Sequence, residues 1–224
     1  MHVLQHALDF RRLSSKELDL WSNAEAAAVS DCLQRAQAMD AGIKPLAPEM
    51  RLVGQARTVR CAVGDNSALH AAIDLVDVGD VLVADAGGFL GNAVWGGLMT
   101  DAARRKGIAG LIVDGCVRDR AEIVSLGYPC FSRGVVPAGP HKNFGGEIDC
   151  AISCGGVAVC PGDLVVADGD GVTIVPLGKI EAVFEAYTNI KRREANAILE
   201  LQRGGTLADI YGVPKVTQVK GAEA

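Results

Sequence analysis

The chain has 224 residues, of which 49% are hydrophobic and 22% charged, and its 22 Lys and Arg against 27 Asp and Glu leave a net charge of −5. High apolar content with a small net charge excludes a disordered chain. No stretch reaches the ~18 uncharged apolar residues of a membrane span, and the acidic balance argues against a non-specific nucleic-acid binder. These numbers predict a soluble globular protein with no membrane or nucleic-acid partner.

Seven cysteines, with no charged segment followed by a long apolar run at the start, argue against a secreted disulfide framework. We therefore expect a cytoplasmic protein. Cys150, Cys154 and Cys160 lie close in sequence, but their C-x3-C-x5-C spacing is looser than the paired spacing of zinc sites. Small buried side chains in strands are the favoured interpretation, and a metal cluster is the alternative.

The hydrophobic pattern predicts alternating helices and strands, followed by a β-rich second half. Apolar residues at helical spacing predict an N-terminal helix over about 15–38, capped by Ser14 or Ser15, and a C-terminal helix over about 179–203. The elements predicted between them are one or two strands in 51–63, a helix over 66–76, a strand at 81–85, a helix over 93–106 that Gly107 ends, a strand at 110–114, a short helix over 120–126 and mostly strands over 129–176. No linker divides the chain, so we expect one α/β domain over 1–224.

One phrase occurs twice. Residues 78–85 read V-G-D-V-L-V-A-D, and residues 161–168 read P-G-D-L-V-V-A-D. In each copy a Gly-Asp turn leads into a continuous apolar strand, a pattern typical of strands buried on both faces. The two copies predict two similar strand entries into one sheet system.

Two turns after predicted strands could carry chemistry. The glycine-rich turn over 85–91 could bring a phosphate or carboxylate to free backbone N–H groups, although it lacks the dinucleotide pattern G-x-G-x-x-G. Arg118 and Asp119 follow the strand at 110–114, at an edge where ligands collect in α/β sheets. A guanidinium matches a carboxylate, and an aspartate can hold magnesium through one carboxylate and several waters. The alternative is an aspartate that caps its own helix and pairs with its neighbouring arginine.

Three segments together resemble a known family. They are G-D-V-L-V at 79–83, G-G-L-M at 96–99 and G-I-A-G-L-I-V-D-G-C-V-R-D at 107–119, and the likeness covers most of residues 25–200. The sequence is similar to the RraA-like family, which includes the regulator of ribonuclease E activity and class II 4-hydroxy-4-methyl-2-oxoglutarate/4-carboxy-4-hydroxy-2-oxoadipate aldolases. The resemblance implies a compact three-layer α/β/β swivelling-type domain. It also implies trimers or hexamers with active sites at subunit interfaces.

The resemblance assigns roles to six positions. Arg118 would grip the pyruvyl carboxylate of the substrate as a catalytic residue, and Asp119 would bind Mg²⁺ or Mn²⁺. Backbone amides in the substrate-binding segment would help to hold the same ligand; its residues are Gly96, Gly97, Leu98 and Met99. Cleavage of the carbon–carbon bond leaves a pyruvate enolate, whose charge a cation would stabilise. Decarboxylation of oxaloacetate passes through the same enolate.

The sequence departs from the aldolases where a proton must be handled. They carry an acidic residue 21 positions before the arginine, and Gly97 stands there in this chain. They also use a glutamate of the neighbouring subunit's C-terminal helix, where this chain has Ala197, with Glu194 one turn earlier. His70 and His141 are the candidates to substitute; we expect a structural role for His70 and an exposed position near an anionic ligand for His141.

The residues therefore predict a divalent-metal-dependent lyase that acts on a small 2-oxo acid. A lysine-based Schiff-base route is less favoured, because Lys106 ends a cationic run at a helix terminus. The alternative function is regulation of a ribonuclease by protein–protein contact, with a catalytically weak pocket. A cofactor-binding transferase has only the glycine-rich turn in its favour.

Overall fold

A computed structural model describes residues 2–217, and the chain divides into two units, Met1–Val183 and Phe184–Ala224. The first unit contains all the strands and the first five helices. The second contains most of one long helix and a short helix after it. No helix within residues 2–217 combines the length and the apolar character that a membrane crossing requires.

The elements alternate in the order that the hydrophobic pattern predicts for the middle of the chain. The strands are β1 Val3–Gln5, β2 Lys44–Pro45, β3 Leu52–Cys61, β4 Val81–Trp95, β5 Gly110–Val117, β6 Cys130–Val135, β7 Gly146–Ile148, β8 Ile152–Cys154, β9 Val157–Val159, β10 Leu164–Asp168 and β11 Gly171–Val175. The helices are α1 Ser15–Asp19, α2 Ala26–Cys32, α3 Ser67–Leu75, α4 Gly97–Lys106, α5 Arg120–Ser125, α6 Ile180–Gln202 and α7 Leu207–Tyr211, with a 3₁₀ turn at Leu177–Lys179. The C-terminal helix predicted over 179–203 is confirmed, whereas α7 was not predicted.

The main sheet is built around β3. The strand order is β1-β7-β3-β4-β5-β6-β2, and β3 through β6 run parallel to one another. The first half of β3 pairs instead with β10, antiparallel, and β10 pairs with β11. Since β4 and β5 are parallel neighbours, their carboxyl ends meet at one edge of the sheet. The predicted α/β fold class is confirmed.

The repeated phrase forms two equivalent turns. Gly79 and Gly162 have φ of 85° and 89°, the region that a type II turn requires at its third residue. In each turn the aspartate carboxylate accepts a hydrogen bond from the backbone N–H three residues earlier, at 3.0 Å for Asp80 and 2.8 Å for Asp163. The strands that follow these turns, β4 and β10, both pair with β3. The prediction of two similar strand entries into one sheet system is therefore confirmed.

The single helix predicted over 15–38 is wrong. Ser14 caps α1 as expected, with its side chain accepting from the N–H of Glu17, but α1 ends at Asp19 and α2 covers only Ala26–Cys32. After α2 the chain turns through Gln34 and Arg35, which have φ of 57° and 63°. Trp21, Ala24 and Val29 are buried as the helical pattern suggested, because turns can also place residues at that spacing against a core.

The glycine-rich turn does not open a helix. β4 continues through it to Trp95 with register shifts at each step, and Phe89, Ala93 and Trp95 pair with Gly115, Cys116 and Val117 of β5. The helix predicted from 93 therefore begins at Gly97. Because no helix N-terminus follows these glycines, the phosphate-loop interpretation is wrong.

The helix after that strand ends as predicted. Gly107 closes α4 at φ 84°, directly after a basic last turn, and its N–H donates to the backbone of Ala103 and Arg104. Left-handed backbone at this position is what glycine allows at low cost.

A buried ion pair joins β3 to Asp149, the residue that follows β7. Arg57 of β3 donates to both carboxylate oxygens of Asp149, at 2.7 and 2.8 Å, and also to Asp80 at 3.3 Å. The Arg57 and Asp149 side chains are only 1% and 0% exposed. A buried guanidinium requires such partners, since an unpaired buried charge is strongly unfavourable.

Asp149→Asn should therefore lower the free energy of unfolding by about 3 kcal/mol, because it leaves the Arg57 charge buried without its main partner. Asparagine tolerates the φ of 65° at this position, so backbone strain adds little. Urea denaturation measures the change. Glu147→Gln, which removes the more exposed ion pairs with Arg60 and His6, is the matched control and should cost less than about 1 kcal/mol. Equal effects of the two substitutions would contradict the assignment.

Candidate functional site

A cavity of about 470 Å³ lies beyond the carboxyl ends of β4 and β5. Its walls come from the start of α4, the first turn of α5, the helix α3 and the loop between β6 and β7. Six of its lining residues have charged, titratable or bare-backbone groups that could bind a ligand or take part in a reaction: Gly97, Arg118, Asp119, Glu122, His70 and Lys142. The six positions to which the resemblance assigned roles, 96–99 together with Arg118 and Asp119, all line this cavity.

The backbone of Gly96 and Gly97, which have no side chains, forms the floor of the cavity beside Arg118 and Asp119. A Cβ at Gly96 would lie 2.6 Å from Asp119 Oδ2 and 3.1 Å from Arg118 Cγ, so only glycine leaves room for both side chains. Trp95, which is fully buried, holds this floor in place: its Nε1 donates to Thr100 Oγ1 at 2.7 Å, and Thr100 Oγ1 donates to the carbonyl of Gly96 at 3.0 Å. The N–H groups of Leu98 and Met99 lie in the first turn of α4, where no helical acceptor exists.

Asp119 does not cap its own helix. Its side chain makes no capping hydrogen bond at the start of α5; instead, Oδ2 accepts from the N–H of Gly97 at 3.0 Å. Its Oδ2 also lies 3.5 Å from Arg118 Nε, so the predicted pairing with that neighbour exists alongside the contact with α4. Asp119 has φ 58°, a conformation that aspartate tolerates better than most residues. The backbone therefore turns sharply between the two side chains that face the cavity.

The donor set around Asp119 fits a hard divalent cation. Within residues 2–217, Oδ2 is held by Gly97 while Oδ1 has no hydrogen-bond partner, and the side chain is 41% exposed to the cavity. One carboxylate oxygen with open space for water matches the coordination habit of Mg²⁺, and oxygen donors also suit Mn²⁺.

A second cationic side chain faces the cavity from the loop between β6 and β7. Lys142 Nζ donates to Asn66 Oδ1 at 3.2 Å and lies 3.1 Å from His70 Nε2. Asn66 precedes α3 and is buried, so it gives the flexible lysine a fixed partner. The cavity therefore presents two positive groups, the Arg118 guanidinium and the Lys142 ammonium, which suits a ligand with more than one carboxylate.

Burial and then the Lys142 ammonium lower the pKa of His70, against a smaller opposing effect of Asp65. The folded protein therefore binds fewer protons here than the unfolded chain does, and His70 reduces stability as the pH falls below about 6.5. We expect NMR to give a titration midpoint for His70 below that usual value, and Lys142→Met to raise it. Lys179→Met removes an ammonium elsewhere and should leave the midpoint unchanged. An unaltered midpoint in Lys142→Met would contradict this account.

The structure confirms that His141 is exposed, but it places both histidines differently with respect to the cavity from what was expected. His70, expected to be structural, lies between buried positions of α3 and lines the cavity. His141, expected near an anionic ligand, is not among the lining residues, and its ring packs against Phe144 with centroids 5.6 Å apart. In the loop it is the next residue, Lys142, that faces inward.

Glu194 lies in α6, within the second unit, where its carboxylate accepts from Lys191 Nζ at 2.7 Å. Lys106 is an exposed helix end, as the sequence suggested, and its Nζ donates to the carbonyl of Asp74 at 2.9 Å.

The three clustered cysteines differ in burial: Cys154 is buried, Cys150 is half-buried and Cys160 is exposed. In the described part of the chain, the one group of three metal-capable side chains within reach of one another is His6, Glu147 and Cys150. The alternative of a metal cluster formed by the three cysteines is therefore wrong.

Sequence reasoning missed Asn66, Glu122 and Lys142. Of these three, only Glu122 could have been predicted from the sequence. It lies one helical turn after Arg118 and Asp119, a spacing that places side chains on the same face of a helix. Lys142 and Asn66 are brought to the site by separate elements, and no spacing predicts that encounter.

Comparison with known proteins identifies the family to which the chain is similar. A family model described as "RraA-like: Aldolase/RraA" matches residues 26–174, more than half of the chain. A Halalkalibacterium halodurans protein, provisionally named a 4-hydroxy-4-methyl-2-oxoglutarate aldolase, is 38% identical over 187 residues, 82% of this chain and 88% of that protein. The 4-hydroxy-4-methyl-2-oxoglutarate aldolase of Thermus thermophilus is 31% identical over 153 residues, 68% of this chain and 93% of that one.

A solved structure is similar over most of the chain. The crystal structure of Streptomyces coelicolor RraAS2, described as a member of the RNase ES inhibitor RraA protein family, matches with a TM-score of 0.75 and 28% identity. The match covers 84% of this chain and all of that one. The motifs, the arrangement of strands and helices, the family model and these relatives agree: the chain belongs to the RraA-like family.

Proposed function

We propose that this protein is a divalent-metal-dependent carbon–carbon lyase that releases pyruvate from small 2-oxo acids through a pyruvate enolate. The substrates would be 4-hydroxy-2-oxo diacids, cleaved by a retro-aldol reaction, and oxaloacetate, which is decarboxylated. The relatives named as aldolases support the first activity. The observation that carries the proposal is the position of Arg118 and Asp119 together at the wall of the cavity, over the bare backbone of Gly96 and Gly97.

Arg118 would bind the carboxylate next to the 2-oxo group. Its guanidinium offers two parallel N–H donors, which match a carboxylate in both charge and geometry. The amides at the start of α4 add donors on the same side. Lys142, held by Asn66, would bind the second carboxylate of the substrate and so favour diacids over monoacids.

Asp119 would hold Mg²⁺ or Mn²⁺ through its free carboxylate oxygen, while Gly97 N–H keeps the other oxygen in place. When bound, the cation would stabilise the negative charge that develops on the 2-oxo oxygen as the carbon–carbon bond breaks.

A substrate panel tests the proposal. Pyruvate release from oxaloacetate and from several 4-hydroxy-2-oxo mono- and diacids should require added Mg²⁺ or Mn²⁺ and should stop in EDTA. We expect diacids to be preferred, as the two cationic side chains suggest. Activity that persists in EDTA would show that the metal-dependent mechanism is wrong.

The second candidate function is regulation of a ribonuclease by protein–protein contact. It is favoured by the similarity to RraAS2, which is described as belonging to an RNase inhibitor family. The same assays distinguish the two functions, because a regulator would bind RNase E while releasing pyruvate from none of the substrates.

We also infer that the protein assembles as a trimer or hexamer with its sites at subunit interfaces. Leu98 supports this: it lines the cavity, yet its side chain is 88% exposed, and an apolar side chain at that position would be covered by a neighbouring copy. Light scattering of the purified protein measures the mass of the assembly.

A further inference from the structure

The Glu122 side chain fills the space beside Gly97. A Cβ built on Gly97 would lie 2.1 Å from Glu122 Oε2 and 2.4 Å from its Cδ. A side chain at position 97 would require the exposed Glu122 side chain to move away. The Glu122 carboxylate therefore occupies the space that a side chain at position 97 would take.

Glu122 is also the group best placed to accept a proton there. Across residues 2–217 its carboxylate makes no hydrogen bond and no ion pair, and the residue is exposed to the cavity. Of the other lining groups, Asp119 accepts from Gly97 N–H through one oxygen and would hold the cation through the other, and His70 lies against the Lys142 ammonium. An unpartnered carboxylate in reach of a bound substrate can act as a general base.

We propose that Glu122 is the proton-transfer residue of the retro-aldol reaction, an inference that rests on the proposed lyase function. A Glu122 oxygen takes the proton of the hydroxyl on C4 of the substrate, and the C3–C4 bond breaks as the new carbonyl forms at C4. The electron pair of that bond becomes the pyruvate enolate. The proton then passes from Glu122, directly or through water, to C3 of the enolate, which restores the carboxylate and completes pyruvate.

Oxaloacetate decarboxylation makes a different demand on the site. No hydroxyl is deprotonated, because the bond to the departing carbon dioxide supplies the electron pair of the enolate, and water supplies the proton to C3. A residue that handles the hydroxyl proton is therefore needed for cleavage and is dispensable for decarboxylation. A residue that only maintains the cavity would affect both reactions.

The experiment compares both reactions in Glu122→Gln. We expect retro-aldol cleavage to fall by about 10²–10⁴-fold, the usual contribution of general acid–base catalysis. Decarboxylation and Mn²⁺ affinity measured by calorimetry should change by less than about tenfold, because Glu122 takes part in neither. Asp101→Asn, which removes an exposed carboxylate from α4 outside the cavity, is the matched control and should leave both rates unchanged.

A relocated carboxylate tests the geometry directly. In Glu122→Ala combined with Gly97→Asp, the new side chain points into the vacated space, and an acidic residue is favourable in the first turn of α4. Cleavage should recover at least about tenfold over Glu122→Ala alone. Gly97→Asp by itself should lower cleavage, since two carboxylates then compete for one space.

The outcomes separate the two proposals. Wild-type protein that cleaves no hydroxy-oxo acid would overturn the aldolase function and the role of Glu122 with it. Wild-type cleavage that survives in Glu122→Gln would overturn only the role of Glu122. Parallel loss of cleavage and decarboxylation, or a large loss of Mn²⁺ affinity, would also overturn proton transfer, because either would assign Glu122 to maintaining the site.

Discussion

Arg118→Ala should lower kcat/KM for pyruvate release by about 10²–10³-fold, for oxaloacetate and for hydroxy-oxo diacids alike. Both substrates would present a carboxylate next to the 2-oxo group, and the guanidinium is the fork-shaped donor beside the bare backbone of α4. Steady-state kinetics with saturating Mn²⁺ measures the loss. We expect most of the loss as a higher KM, because the variant binds the substrate less tightly. A lower kcat in addition would show that Arg118 also makes an interaction present only in the transition state.

Two variants control this result. Arg118→Lys keeps the charge but offers a point donor in place of a planar fork, so it should recover only part of the activity. Arg104→Ala removes an exposed arginine from α4 outside the cavity and should leave the kinetics unchanged. Arg118 is itself 44% exposed, so its loss should change the free energy of unfolding by less than about 0.5 kcal/mol. Full activity in Arg118→Ala would contradict the carboxylate-binding role.

Asp119→Asn should lower the affinity for Mn²⁺ by at least about tenfold and pyruvate release to a similar or larger extent. The substitution removes the anionic oxygen that faces the cavity and leaves a neutral amide in its place. Asparagine tolerates the φ of 58° at this position, so the turn between β5 and α5 should be retained. Calorimetric titration with MnCl₂ gives the affinity without depending on activity.

Asp119→Ala is the companion variant. It removes the same ligand but also adds about 1–2 kcal/mol of backbone strain, because alanine is less well accommodated in the left-handed region. If the two variants lose metal affinity equally while only the alanine form loses stability, the two roles of Asp119 are separated. Unchanged Mn²⁺ binding in Asp119→Asn would place the cation elsewhere.

The turns, the end of α4 and the buried strands could be predicted from the sequence, because each depends on residues that are close together in the chain. Gly79, Gly107 and Gly162 each occupy a turn or helix end that requires positive φ, and the residues around them predict it. The apolar runs after Gly79 and Gly162 became buried strands of one sheet. Arg118 and Asp119 were predicted at the end of a strand, and they lie there.

The failures come from contacts that local pattern does not encode. Apolar spacing over 15–38 fits a helix, yet α1 ends at Asp19 and α2 ends at Cys32. Trp21 and Ala24 are buried from the turn between the two helices, and Val29 is buried from α2. The glycine-rich turn over 85–91 resembles a loop before a helix. It remains in β4 because β5 continues beside it as far as Val117.

The sequence by itself determined the family, the α/β order, the turns and the pairing of an arginine with an aspartate at a strand end, since these follow from local propensity and from residues adjacent in the chain. Only the tertiary structure decided which other side chains face the same cavity. Lys142 and Asn66 come from a loop and a helix start 76 positions apart. Glu122 meets Gly97 because parallel β4 and β5 bring the first turns of α4 and α5 together. The Glu122 carboxylate, from another helix, lies where a side chain at position 97 would be, and the sequence around that position does not encode this contact.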